Sequence, residues 1–316
     1  MKKVLLSAVT ALLLFSCQND QTESADSGVS AIAHRGCATQ EVLEAQLKAD
    51  PTLAIRMNEI EAFTNKALLT NKLVNGKVQI PVVVNVLYRT TAENISNAQI
   101  QTQIDVLNKD FNALNTDYGN VPALFSGVKA NVGISFVLDQ VIRKSTTKTS
   151  WGTNNAMKKV AQGGLAPTSP TTKLNLWSCT IGGGILGYAQ FPGGASATDG
   201  VVIDPKYFGL SGSANAPFNL GRTGTHEVGH WMNLRHIWGD ATCGSDLVAD
   251  TPTHNEENYG SPAYPHYSTC SGTPVEMTMN YMDYTNDNAM YMFSNGQKSR
   301  MAAIFVSGGP RAAFGI

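Results

Sequence analysis

The most constraining feature of this 316-residue sequence is the segment TGTHEVGHWMNLRHIWGD at residues 223–240. His226 and His230 are four residues apart, so on a helix both project from one face, within reach of a single metal ion. Glu227 lies beside them, where it can polarise a metal-bound water rather than bind the metal. The segment therefore predicts a helix that carries part of a zinc site.

His236 completes this pattern only if the chain turns back after the helix. It follows His230 by six residues, and a continuous helix would carry it about 9 Å further along the axis and off the shared face. Asn233 lies where such a turn is needed, and asparagine is the non-glycine residue most tolerant of positive φ. Three imidazoles leave a fourth position for water, which is the catalytic type of zinc site. The alternative is a chance match, which is rare in a chain with only six histidines.

The N-terminus reads as an export signal. Lys2 and Lys3 precede an apolar run at residues 4–15, which is too short to span a bilayer that needs roughly 20 residues. The following LFSC resembles a bacterial lipobox, which predicts lipidation of Cys17; an ordinary signal peptide is the alternative. Residues 18–30 are polar and are expected to form a tether. We therefore expect an exported protein, extracellular or a cell-envelope lipoprotein of a bacterium, with membrane attachment only through a lipid.

The body of the chain combines helical and strand patterns. Residues 41–69 are helical in pattern, with a break at Asp50 and Pro51, and an apolar face predicts a helix from Ser96 to Leu114. The β-branched run at 79–88 predicts a buried strand. Further strands are predicted at residues 131–138, 174–180 and 201–204. The sequence thus predicts an α/β domain, and its net charge of −1 argues against a nucleic-acid partner.

Three segments together resemble the pappalysin family of metzincin metalloproteases, in its cytophagalysin branch. They are HEVGHWMNLRHIWGD, VADTP and MNYMDY, and the resemblance extends over about residues 35–305. Asn233 stands where the general metzincin pattern has glycine, and asparagine also occurs there in this family. The resemblance implies a metzincin-type α/β fold. Its upper lobe has a twisted sheet with a backing helix and the active-site helix, and its irregular lower lobe carries a methionine turn.

The resemblance also implies roles for individual residues. The reaction would be peptide hydrolysis by zinc-activated water, with Glu227 as general base and then acid. Met282 would form the apolar floor under the zinc, and Tyr284 would stabilise the oxyanion. The alternatives are an ordinary core methionine and a tyrosine with a packing role. Cys243 and Cys270 would form a disulfide, leaving Cys179 as a buried free thiol.

Two further sites follow from the resemblance. The loop at residues 245–251 offers hard oxygen ligands for calcium, namely the side chains of Asp246 and Thr251 and the carbonyls of Ser245 and Ala249. A polar loop without a metal is the alternative. Asp287 would lie at the base of a specificity pocket for arginine or lysine after the scissile bond, with a surface aspartate as the alternative.

Cys37, within RGCAT, resembles the R-x-C-G-T of pro-segments in this family. Its thiolate would bind the zinc in a latent form, displacing the catalytic water; a free thiol or a disulfide with Cys179 is the alternative. The expected organisation is a signal peptide at 1–17, a tether and pro-segment at 18–55, and a catalytic domain at 56–316. The activation cut is expected before Arg56, with the bonds before Lys66 and Lys72 as further candidates.

A monomeric endopeptidase acting on proteins or peptides has two alternatives. A thermolysin-like protease would use a downstream glutamate as its third ligand, and His236 and Met282 disfavour it. A non-enzymatic binding lipoprotein that kept the fold is disfavoured by Glu227, because such a relative could lose this residue without losing zinc.

Overall fold

A computed structural model describes residues 34–69 and 78–314. The predicted signal peptide, Cys17, the tether at 18–30 and the bond between Asn71 and Lys72 lie outside the described residues. Within the described ranges, no helix combines the length and apolarity needed to cross a bilayer.

A five-stranded sheet forms the scaffold. In chain order its strands are β1 (Val78–Tyr88), β2 (Ile134–Ser145), β3 (Leu174–Ser178), β4 (Gly187–Ala189) and β5 (Val201–Ile203). Their spatial order is β2-β1-β3-β5-β4, and all neighbours are parallel except the antiparallel edge strand β4. The apolar run at 79–88 becomes β1, which is buried on both faces because helices and loops cover the sheet. The predicted α/β fold is confirmed.

Within the described residues, five α-helices accompany the sheet: α1 (Thr39–Ala49), α2 (Thr52–Leu69), α3 (Asn97–Asp110), α4 (Arg222–Trp231) and α5 (Asn295–Ala303). Helix α3 begins where predicted, because the Ser96 side chain accepts a hydrogen bond from the Gln99 amide. It ends earlier than predicted. Ala113 has φ of 53°, which turns the chain out of the helix, so Leu114 is 70% exposed and the prediction that it belongs to the apolar face is wrong.

The chain after α4 is irregular until α5. Its core is rich in methionine, whose flexible side chain fills the gaps left where regular elements are few; it includes Met277, Met279, Met282, Met290, Met292 and Met301. A disulfide joins Cys243 and Cys270 across 27 residues. This disulfide is the one expected from the family resemblance.

Helices α1 and α2 precede the sheet in sequence, and the chain around the start of α1 packs against three of its strands. Ala38 and Val42 share an apolar cluster with Trp177, Tyr188 and Val202. Leu43 and Leu53 pack with Phe191 in a second, smaller cluster. Helix α2 runs without a break through Arg56, so the predicted boundary between pro-segment and catalytic domain falls inside a helix.

Candidate active site

Helix α4 positions the first two histidines. Every residue of this helix is buried, and it begins after Gly221, which has φ of 75°. The spacing of four brings the Nε2 atoms of His226 and His230 to 3.1 Å from each other. Both nitrogens thus face one point, which is the arrangement that two ligands of a shared metal ion require.

The chain reverses after α4, as the position of His236 requires. Asn233 has φ of 74°, and the Leu234 amide donates back to the carbonyl of Gly229 at 3.0 Å. The reversal places His236 Nε2 3.0 Å from His230 Nε2. Arg300 Nε donates to the Asn233 carbonyl at 2.8 Å and fixes the turn from outside.

The outer nitrogens of the three rings have separate partners. His226 Nδ1 lies 2.7 Å from the Tyr281 carbonyl, and His230 Nδ1 lies 2.8 Å from the Leu234 carbonyl. His236 Nδ1 lies 2.5 Å from Asp240 Oδ1. Acceptors at all three Nδ1 atoms fix the tautomer in which Nε2 is free to bind a metal.

The electrostatics of the cluster favour neutral imidazoles. Burial, together with the neighbouring rings, holds the pKa of His226 well below its ordinary value. Burial and His236 lower the pKa of His230 to about 3. Neutral imidazoles converging on one point form a donor set that fits zinc. Cys37 Sγ completes a group of four ligand atoms that all lie within 4.8 Å of one another.

Glu227 faces the same point from the helix. Its Oε2 accepts hydrogen bonds from Thr39 Oγ1 at 2.9 Å and from Cys37 Sγ at 3.4 Å. Burial raises the pKa of Glu227 to about 7. Strand β4 passes close to it, since a Cβ on Gly187 would lie 3.1 Å from Glu227 Cγ and 2.8 Å from the Val202 carbonyl oxygen. Only glycine allows this approach of backbone to carboxylate.

Met282 and Tyr284 lie on the opposite wall. Met282 is fully buried, and its sulfur lies so near Gly229 of α4 that a Cβ there would meet it at 2.5 Å. The Tyr284 hydroxyl donates to the Cys37 carbonyl at 3.1 Å. Its ring centroid lies 4.9 Å from that of His236. Both residues therefore lie beside the three histidines.

Asp287 is fully buried and bonded on both carboxylate oxygens. Its Oδ1 forms an ion pair of 2.6 Å with the guanidinium of Arg35, which also donates to Thr223 and to the Thr285 carbonyl. Its Oδ2 accepts from the amides of Leu220 and Arg222 at the start of α4. The alternative of a surface aspartate is thus excluded.

The segment that carries Arg35 and Cys37 adds to the sheet. Ala38 N donates to the Gly187 carbonyl at 3.1 Å, and Leu186 N donates to the Gly36 carbonyl at 2.8 Å. The pairing with β4 is parallel. Cys37 and Cys179 are both free thiols, which excludes a disulfide between them.

Comparison with known proteins identifies the family. The peptidase M43 model, described as pregnancy-associated plasma protein-A, matches residues 178–306. Extracellular metalloprotease 1 of Coccidioides posadasii is 32% identical over 78% of this chain and 84% of its own length. A mutant of promirolysin from Tannerella forsythia is 37% identical with a TM-score of 0.81, covering 89% of this chain and 97% of its own. The chain belongs to the pappalysin family of metalloproteases.

A second solved structure matches a smaller share of this pappalysin. Mature mirolysin of Tannerella forsythia, in complex with a cleaved peptide, is 41% identical with a TM-score of 0.74 and covers 77% of this chain and 97% of its own. The two coverages differ by 12% of 316 residues, which is about 38 residues.

The candidate calcium loop of the pappalysin is built around one buried carboxylate. Both oxygens of Asp246 accept from the Thr251 hydroxyl, at 2.9 and 3.0 Å. Burial raises the pKa of Asp246 to about 7, outweighing the hydrogen bonds from Thr251 and Val248 and the charge of Arg300, which lower it. A buried carboxylate and hydroxyl in a loop fit a hard cation. Asp250 points elsewhere, since it accepts from Ser294 and Gly296 at the start of α5.

Three site residues of the pappalysin were missed in the sequence. Arg35 and Thr39 flank Cys37 at two residues on either side, and their alternation in RGCAT was the signal for a strand-like segment with one face toward the cleft. Asp240 follows His236 at a distance of four residues, and only the tight turns at Gly239 and Asp240 bring its carboxylate to the ring.

Proposed function

We propose that this pappalysin is an exported zinc endopeptidase, made as a latent zymogen, that cleaves peptide bonds before arginine or lysine. The observation that carries the proposal is the convergence of three histidine Nε2 atoms beside the carboxylate of Glu227. His226, His230 and His236 would hold the metal. When bound, zinc would lower the pKa of a water molecule and polarise the scissile carbonyl.

Glu227 is the group that moves the proton. With a pKa raised to about 7 by burial, its carboxylate can take a proton from water and return it to the leaving amine. The Tyr284 hydroxyl, which donates to a backbone carbonyl at this point, would donate to the substrate carbonyl oxygen as negative charge develops there. Asp240 would orient His236.

The contacts of Asp287 support a preference for basic residues. Arg35 occupies its pocket with an ion pair of 2.6 Å, and no part of either side chain is appreciably exposed. A substrate arginine or lysine after the scissile bond would take the place of this guanidinium. Arginine suits the pocket best, because the oxygens of Thr223 and Thr285 accept one hydrogen bond each from the other two guanidinium nitrogens.

Latency follows from the same segment. Cys37 Sγ lies within 4.8 Å of ligand nitrogens of the three histidines, where it would supply a fourth metal ligand and exclude the catalytic water. Burial raises the pKa of this thiol well above its ordinary value, so the thiolate there depends on a bound metal. Thr39 adds a second block, because its hydroxyl holds the carboxylate of Glu227.

The pro-segment also runs in the wrong direction for cleavage. In a substrate, the residue in the Asp287 pocket follows the scissile bond, so the chain runs from the metal toward Asp287. The pro-segment runs from Arg35, in that pocket, to Cys37 at the histidines. The reversed direction explains how the segment can fill the cleft without being cut there.

We propose that the pro-segment extends beyond residue 55 and includes all of α2. The difference of about 38 residues between the coverages of promirolysin and mature mirolysin is close to the length of residues 34–69. The bonds before Arg56 and Lys66 lie inside α2, and a helix resists entry into an extended cleft. The bond before Lys72, outside the described residues, thus becomes the first candidate.

Export is supported by the extracellular metalloproteases among the relatives. The proposal also includes lipidation of Cys17 and a monomeric state. It further includes calcium binding by the side chains of Asp246 and Thr251 and the carbonyls of Ser245 and Ala249. Peptides are the expected partners.

Activity on casein, with and without a zinc chelator, tests the proposal. Glu227→Ala should retain bound zinc and lose nearly all turnover, whereas His226→Ala or His236→Ala should lose both. A Glu227→Ala enzyme that cleaves casein at the wild-type rate would refute the mechanism. A wild-type protein that binds peptides without cleaving them would instead support the binding-lipoprotein alternative.

A further inference from the structure

A second ion pair holds the pro-segment, away from the three histidines. Arg300 Nη1 donates to Glu61 Oε1 at 2.8 Å, and Nη2 donates to Oε2 at 2.6 Å. The side chain of Arg300 is only 2% exposed, while that of Glu61 is 25% exposed. The remaining nitrogen, Nε, is bound to the Asn233 carbonyl. The guanidinium plane is therefore fixed by the catalytic domain, with its two-nitrogen edge turned toward α2.

The surroundings of this edge favour a negative charge. Although burial raises the pKa of Glu61, the charges of Arg300 and Arg235 outweigh it and hold the pKa below its ordinary value. The carboxylate of Asp240 lies on the same wall but is already engaged by His236. Among the described residues, Glu61 forms the ion pair with the two Nη atoms of Arg300, and the charge of Asp246 acts on Arg300 without such a contact. Once α2 leaves, these two nitrogens lose their carboxylate partner.

The guanidinium of Arg300 lies near the path that a substrate would follow. Phe191 and Asn233 line the same recess, and the Phe191 ring lies 5.5 Å from that of His230. The pro-segment reaches it after passing Asp287, the histidines and Glu227 in that order. Since a substrate runs in the opposite direction, the recess lies on the side of residues that precede the scissile bond.

We propose that Arg300 and Arg235 form a carboxylate-binding subsite of the mature enzyme, which receives an acidic side chain N-terminal to the scissile bond. Glu61 occupies this subsite in the zymogen. The inference rests on the proposed function, because the subsite opens only when the pro-segment is released. A planar guanidinium with two parallel donors matches a carboxylate, and binding of one restores the pairing that Glu61 provided.

Paired peptides test the subsite on the matured enzyme. The peptides share an arginine after the scissile bond and differ only in glutamate or glutamine, placed in turn at each of the second to fifth positions before it. At one of these positions we expect kcat/KM to be about fivefold higher with glutamate, the upper range for a solvent-accessible ion pair. The preference should shrink in high salt, because it depends on charge.

Two variants check the assignment. Arg300→Lys keeps the positive charge but loses the two parallel donors. Arg235→Gln removes an exposed charge, and the hydrogen bonds given above for the turn at Asn233 do not involve its side chain. Each should reduce the ratio of rates for glutamate over glutamine, while Arg89→Gln, on an exposed pair with Glu93, should leave it unchanged. If Arg300→Lys does not fold, Arg235→Gln still decides the matter.

The outcomes separate this inference from the proposed function. Equal rates for the two peptides at all four positions, or a ratio unchanged in both variants, would overturn the subsite while leaving the peptidase intact. Cleavage of neither peptide by the wild-type enzyme would refute the proposed function instead. The precursor offers an independent measurement. Glu61→Gln weakens the ion pair with Arg300, so the precursor should mature faster.

Discussion

Replacing Thr39 by valine should unlock the catalytic glutamate while leaving the cysteine in place. Thr39 is fully buried, and its hydroxyl donates to Glu227 Oε2 at 2.9 Å and accepts from the Ala189 amide at 2.9 Å. The hydroxyl also accepts a weaker hydrogen bond from Cys37 Sγ at 3.2 Å. Valine has nearly the same shape, so the substitution removes these hydrogen bonds without opening a cavity. It also leaves the amide of an edge strand without its partner.

The magnitude follows from the charge on the acceptor. A hydrogen bond to a charged group contributes about 1.5–3 kcal/mol, more than a bond between neutral groups. If the free energy that keeps the pro-segment in the cleft falls by about 2 kcal/mol, the population of precursor with an open cleft rises roughly 30-fold. The uncleaved Thr39→Val precursor should therefore hydrolyse a short fluorogenic peptide at least about tenfold faster than the wild-type precursor.

The assay compares initial rates of freshly purified precursors, before any cleaved product is visible on a gel. Thr64→Val is a matched control, because Thr64 is also buried in the pro-segment but its hydroxyl has no hydrogen-bond partner. Cys37→Ala supplies the upper reference. The Thr39→Val precursor could remain as latent as Thr64→Val while Cys37→Ala is active. That result would refute a separate role for the Thr39 hydroxyl in latency.

Three further outcomes are expected. Asp287→Asn keeps an oxygen for the amides at the start of α4 but loses the charge, so the preference for arginine over a neutral residue after the cut should fall at least about tenfold in peptide-library cleavage. Calcium should raise the melting temperature of the wild type by about 5 °C and that of Asp246→Asn by much less, as read by differential scanning fluorimetry; equal shifts would count against this ligand. Burial lowers the pKa of His254 to about 4, so the unfolded chain takes up the proton first and stability tied to this residue is lost as pH falls from about 6.5 to 4. Denaturant melts of His254→Gln should accordingly show a smaller loss over that range than the wild type.

The sequence predicted the site best where its chemistry depends on local spacing. A separation of four on a helix, followed by a turn at Asn233, is sufficient to bring three histidines together, and no distant part of the chain is needed to infer it. Strand β4 escaped prediction because three residues carry too little pattern, although it forms the edge that the pro-segment pairs with. The end of α3 was misplaced because Leu114 continues the apolar spacing after Ala113 has already left the helical conformation.

The sequence pattern does not predict contacts between distant segments, as the two sets of partners of Asp287 illustrate. One carboxylate oxygen binds the amides that begin α4, and the other binds Arg35 from 252 positions away. The first contact places the carboxylate at the N-terminus of the helix that carries His226 and Glu227, a favourable position for an anion. The second uses that same charge to hold the segment that carries Cys37. In the function we propose, this side chain would both start the active-site helix and form the base of the pocket, so the helix itself would set the position of the pocket relative to the histidines. A specificity residue held in this way could exchange Arg35 for a substrate residue without any rearrangement of the catalytic groups.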